Sequence, residues 1–133
     1  MEELSESPVI VTHANCHALW PHPRNLTDVQ LEAIARQGGV VGVHYDPHFY
    51  GETEMYTHLS VLLDHIDHMV NVMGEDGVGF GMDFDGVEEH MEGLEDVSKL
   101  LNLTKGLAER GYSAEAIKKI LGGNFLRVVR EVL

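Results

Sequence analysis

Three polar stretches hold the side chains that could do chemistry, and each follows a short apolar run. PVIVT (8–12) leads into HANCHALWPHPRN (13–25), VVGV (40–43) into HYDPHFYGE (44–52), and VGFGM (78–82) into DFDG (83–86). His13 directly follows the first run, His44, Tyr45 and Asp46 the second, and Asp83 and Asp85 the third. Neutral imidazoles and carboxylates are suitable ligands for zinc. A spare carboxylate can take up and release protons. Gathered on one rim, these groups are what a metal-assisted hydrolase requires. There is no HExxH pattern and no cysteine pair, so the spacing alone does not define a metal site.

The elements that must position these residues are legible as alternating periods. The three apolar runs read as strands buried on both faces. Between the first two, Thr27 is a good N-cap for a helix carrying Leu31, Ile34 and Ala35, which Gly38-Gly39 ends. A long helix from Tyr56 to Met73 places Leu59, Leu62, Ile66, Met69 and Met73 on one face, and Gly74 closes it. Beyond Leu94 the pattern is helical, with Leu100, Leu103 and Leu107 sharing a face, a short helix after Ser113 and a last one from Asn124 to Leu133. Strand, loop and helix alternating in this way is α/β, and two βαβ crossovers imply parallel strands in one sheet. In such folds function sits at the carboxyl ends of the strands, where all three polar stretches fall. A three-stranded parallel sheet is unusually small and leaves both edges bare. The chain is therefore expected to be incomplete or to pair with something.

Composition narrows the partners. The 133 residues carry 9 Lys and Arg against 22 Asp and Glu, a net charge of −13, which argues against nucleic acid and anionic membrane surfaces. No apolar run approaches the roughly 18–20 residues of a membrane span. The start, MEELSESPVI, has neither the basic residues nor the apolar core of a secretory signal. Cys16 is the only cysteine, so no intrachain disulfide forms, which fits a reducing compartment and an expected cytoplasmic location.

The order THAN, HPRN, DFDG and GGNFLRV, at these separations, resembles the C-terminal portion of the renal (membrane) dipeptidases. PVIVTHANCHALWPHPRNLTDVQLEAIARQGGVVGV looks like the stretch around their sixth and seventh strands. VGFGMDFDGV is similar to their eighth strand, and GYSAEAIKKILGGNFLRVVREVL to their C-terminal helices. The resemblance covers nearly the whole chain. It implies that residues 1–133 are a single partial domain, about three βα units and the C-terminal helices of a (β/α)₈ barrel of TIM type related to the amidohydrolases.

It also implies a mechanism. Two zinc ions activate a water that hydrolyses dipeptides. His13 matches the last metal-ligating histidine, and Asp83 the acid/base carboxylate that moves the nucleophile's proton to the leaving amine. Arg24 matches an arginine that binds the substrate's carboxylate, a task suited to the guanidinium fork. Tyr50, with Phe49, lies in a loop that helps shape the substrate pocket. The remaining ligands, a His-x-Asp pair, a bridging glutamate and a second histidine, are expected upstream, and only twelve residues precede His13. The chain by itself is expected to be inactive, and either to form an oligomer or to associate with a missing N-terminal portion.

The same residues admit other readings. Asp85 rivals Asp83, since along an extended segment the two point the same way. Arg24 could pair with an acidic neighbour. His65 and His68, one turn apart on the long helix, could bind a metal, though Asp64 and Asp67 beside them suggest a polar helix face. Cys16 could be a nucleophile, but no oxyanion hole is evident near it. An alternative for the whole chain is a non-catalytic α/β fragment that self-associates through its open sheet edges. A small-ligand-binding α/β domain would call for a glycine-rich phosphate loop, which the first βα turns lack.

Overall fold

The structure, a computed structural model, describes residues 5–46, 58–86 and 91–133. Its elements are β1 (Ile10–Ala14), α1 (Asp28–Arg36), β2 (Val40–Val43), α2 (Leu59–Met73), β3 (Val78–Phe80), α3 (Leu100–Glu109), α4 (Ala114–Lys118) and α5 (Asn124–Val132). The three strands form one parallel sheet in the order β1-β2-β3. Val41 in the middle strand pairs with Val11 on one side and Val78 on the other. All four residues of β2 are buried, as its unbroken apolar run requires.

The two crossover helices form for local reasons and are held by packing. At the start of α1, Thr27 and Gln30 make a reciprocal capping box, in which the Thr27 hydroxyl accepts from the Gln30 amide and the Gln30 side chain accepts from the Thr27 amide. Such a cap stabilises a helix by about 1 kcal/mol. In α2, Leu62, Leu63, Ile66 and Met69 are buried in one core with Leu31, Ile34, Val41, Val43 and Val78. Each such side chain contributes roughly 1.5–3 kcal/mol on leaving water. Leu103, Leu107, Ile117 and Ile120 extend that core from the C-terminal helices.

The lower end of the sheet is closed by α5. The buried side chain of Asn124 donates through Nδ2 to the carbonyls of Glu75 (2.7 Å) and Val78 (2.8 Å), which flank the start of β3. Both amide hydrogens are thus used on main-chain acceptors, which ties the start of α5 to the start of β3. Beside it, the Phe125 ring fills the place a side chain at Gly79 would take.

At the upper end the backbones converge. A Cβ at Gly81 would overlap the Thr12 carbonyl oxygen, and one at Gly42 would meet the same oxygen and the Gly81 amide. Only glycine lets β1 and the segment after β3 close over the middle strand in this way.

Several expectations need correction. β1 runs from Ile10 to Ala14, not from Pro8 to Thr12, so His13 lies inside the strand. The reason is register: β1 keeps pairing with β2 until Ala14 stands opposite Val43. β3 ends at Phe80, although the Gly81 amide still donates to the Val43 carbonyl at 3.0 Å. Asp83 and Asp85 are not on an extended segment. Asp83 has a φ of +55° and Phe84–Gly86 make a 3₁₀ turn, so the argument that the two carboxylates share a direction fails. His65 is not on a polar face but is buried. The expected start of α2 at Tyr56 falls outside the described residues, as do Phe49 and Tyr50. No described helix is long and apolar enough to cross a membrane.

Candidate active site

The upper rim is built from the ends of the three strands. His13, half-buried near the end of β1, accepts at Nε2 from the Arg24 guanidinium at 3.1 Å, since arginine has no acceptor to offer. The His13 Nδ1 then carries the proton and donates to the Thr12 hydroxyl at 2.9 Å. This pair of contacts fixes the neutral tautomer and leaves Nε2 as the electron-pair donor.

His44, the first residue after β2, leans against His13 with ring centroids 5.0 Å apart and planes tilted by 57°. Its Nδ1 faces the Gly81 carbonyl at 3.4 Å, and its Nε2 is 3.9 Å from Asp46. Burial holds the His44 pKa below the ordinary imidazole value, helped by the neighbouring His13. The Gly81 carbonyl, Asp46 and Asp83 pull the other way. His44 therefore senses groups from all three strand ends. Asp83 itself is exposed, and its carboxylate occupies the space a side chain at Gly86 would take. Its main-chain carbonyl accepts from the Gly86 amide at 2.9 Å.

Arg24 reaches the rim from an exposed position in a tied loop. The loop neck is a parallel bridge between Cys16 and Leu26, in which His17 N–H donates to the Leu26 carbonyl and Leu26 N–H to the Asn15 carbonyl, both at 2.8 Å. Inside the loop, the Arg24 amide donates to the His22 Nδ1 (3.2 Å), and the Asn25 side chain to the Trp20 carbonyl (3.0 Å). The Asn15 side chain accepts from the His44 amide at 3.2 Å and so ties this loop to the next.

The structure thus brings His13 and Arg24 into contact and sets Asp83 close enough for His44 to feel its charge. It does not describe Tyr50. His44 was legible as a rim residue, being the first polar side chain after a buried strand, but no task could be assigned to it from the residues alone. Cys16 is buried, and burial pushes its thiol up to about 12, so it stays protonated and does not serve as a nucleophile. His65 and His68 turn to separate partners, the Cys16 amide and Asp28, and share no ligand position.

The donor set permits a test of metal binding. His13 has its Nδ1–H anchored on the Thr12 hydroxyl, as a ligating imidazole does, while its Nε2 lone pair accepts from the Arg24 guanidinium, which would have to move aside for a metal cation. Among the described residues, however, no three His, Cys, Asp or Glu side chains stand close enough to hold an ion. These residues fit one ligand position and not a complete centre.

The sequence profile of the membrane dipeptidases, peptidase family M19, matches residues 1–133. This chain belongs to the membrane dipeptidase family. Among its relatives is a protein of Klebsiella pneumoniae encoded in the pqqA 5′ region, 46% identical over 129 residues, covering 95% of this chain and 47% of the relative. The dipeptidase tcpJ of Claviceps purpurea is 38% identical over 130 residues, covering 98% of this chain and 31% of its own. A metallopeptidase of Rhodobacter sphaeroides, solved with a phosphinate mimic of the dipeptide L-Ala-D-Ala, superposes with a TM-score of 0.93 at 33% identity. That match covers 99% of this chain and 38% of the solved one. A second M19 metallopeptidase, described as a dipeptidase, superposes at 0.91 with 34% identity over 97% of this chain and 39% of the other. This dipeptidase-family chain therefore spans less than half the length of each of these proteins.

Proposed function

We propose that this chain forms the strand 6 to strand 8 part of a (β/α)₈ dipeptidase barrel. It would contribute substrate-binding and proton-transfer groups, and one metal ligand, to an active site completed by other residues. The observation that carries the reading is the contact between His13 Nε2 and the Arg24 guanidinium on the rim shared with His44 and Asp83. A hydrolase for very short peptides needs a metal ligand and a carboxylate receptor within one peptide length of each other.

The division of labour follows from the groups. Arg24, exposed and with a forked donor, binds the C-terminal carboxylate of a dipeptide. His13 would present Nε2 to zinc once the Arg24 guanidinium moves from it to the substrate carboxylate, with two ions in the complete enzyme. Bound zinc supplies Lewis-acid polarisation of a carbonyl and a water of lowered pKa. Asp83 takes the proton of the attacking water and delivers it to the leaving amine nitrogen. His44 stands against His13 and keeps bulk water from that flank.

The test combines intact mass, metal analysis and hydrolysis of a dipeptide series on the protein purified from its own source with zinc supplied. Turnover of free dipeptides, slow turnover of their C-terminal amides and bound zinc are expected. A zinc-loaded protein of full family length with no dipeptide turnover would overturn the reading.

The two sheet edges favour a second reading. β1 and β3 each have one strand neighbour among the described residues, which leaves an outer row of main-chain groups on each. A fragment of this kind would self-associate through those edges. Light scattering on the 133-residue chain separates the two readings: a stable homo-oligomer without metal supports the second, and a monomer removes it.

A further inference from the structure

We propose that His65 and His68 of α2 are positioning residues for the loop that carries Arg24, holding its two ends so that the guanidinium meets the rim. The proposal rests on the functional reading above for its catalytic meaning, and on geometry for its mechanics. His65 is 1% exposed, and its Nδ1 accepts from the Cys16 amide at 3.0 Å. The Cys16 thiol donates in return to the His65 carbonyl at 3.4 Å. Cys16 is three residues after His13 and forms the loop neck with Leu26. One turn further along α2, His68 Nε2 meets the Asp28 carboxylate at 2.7 Å, just past the other end of the loop. The two histidines thus grip both ends of residues 16–28, while the tip carrying Arg24 remains exposed.

A purely space-filling role does not explain His65. A leucine would fill the volume without the desolvation cost of a buried imidazole. What the imidazole adds is one acceptor, aimed at the main-chain amide that starts the loop. That amide lies across a sequence separation of 49 residues, so the bond fixes loop against helix and not loop against itself.

The experiment uses the full-length, zinc-loaded protein with His65→Leu, which removes the acceptor, and His65→Asn, whose Oδ1 replaces Nδ1. KM and kcat are measured on a free dipeptide and on its C-terminal amide, and amide hydrogen exchange is followed at Cys16, His17 and Leu26. His65→Leu should raise KM for the free dipeptide about tenfold, leave KM for the amide and kcat within about threefold, and speed exchange at Cys16. His65→Asn should restore both. His68→Ala should produce a smaller KM effect with the same preference for the free carboxylate. Equal losses on both substrates, or a His65→Asn protein that folds yet is as impaired as His65→Leu, would overturn the proposal. If His65→Leu does not fold, slow Cys16 exchange retained in His65→Asn supports the clasp, and rapid Cys16 exchange in the unaltered protein overturns it. Absence of any dipeptide turnover in the unaltered protein defeats the functional reading instead, and the exchange result still decides the clasp.

Discussion

Arg24 donates to His13 Nε2 at 3.1 Å across eleven residues of chain, so a permanent cation rests on the nitrogen lone pair that a metal would use. Charge and lone pair compete for one place. The arrangement makes the Arg24 side chain responsive to whatever else arrives at the rim.

Replacing Arg24 is therefore expected to act on binding. Arg24→Ala should raise KM for free dipeptides about 10- to 100-fold, the scale of a charge-assisted pair, with a smaller change in kcat. Arg24→Lys should recover only part, because an ammonium lacks the fork. Steady-state kinetics on dipeptides and their amides check this, and an unchanged KM removes the assigned role.

Asp83 should act on turnover. Asp83→Asn keeps the shape and removes the proton acceptor, so kcat should fall about 10²- to 10⁴-fold with zinc content and melting temperature near normal. Asp83 is exposed, and little core packing depends on it. Loss of zinc together with activity would make it a ligand instead.

The closure of the upper end should be intolerant of any side chain. Gly81→Ala drives a methyl group into the Thr12 carbonyl, with main chain on both sides and no flexible side chain to yield. The expected loss is about 3 kcal/mol, or roughly 10 °C in Tm. Thermal or urea unfolding measures it.

Stability should also fall in mild acid. Burial lowers the His65 pKa from 6.5 to about 4, and lowers that of His44 as well. Above pH 6.5 both folded and unfolded chains hold these rings neutral and no cost arises. Between 6.5 and about 4 the unfolded chain takes up a proton that folded His65 refuses, so stability declines as pH falls. For His65 alone the loss totals roughly 3 kcal/mol and levels off below the folded value. Urea unfolding at a series of pH values reads the slope, and His65→Asn should flatten it.

Much of the architecture could be read from the residues alone. VVGV is buried because it is apolar without interruption, and Thr27, Gly38 and Gly74 mark helix ends through chemistry that acts within one turn. What escaped reading depends on contacts distant in sequence. Whether His13 ends a strand or follows it was decided by β2, through the pairing of Ala14 with Val43. The turn at Asp83, with its left-handed backbone, removed the alternation that would have aligned it with Asp85. His65 sits between Asp64 and Ile66 and looked polar by local pattern, yet a loop 49 residues earlier covers it. The resemblance implied separate tasks for His13 and Arg24 on one rim, whereas their direct contact and the part played by His44 needed coordinates.

Asn124 has a bearing on synthesis. The carbonyls it caps belong to residues made 46 and 49 positions earlier. On the ribosome, the foot of β3 must wait for that asparagine to clear the exit tunnel, and until then its acceptors depend on water.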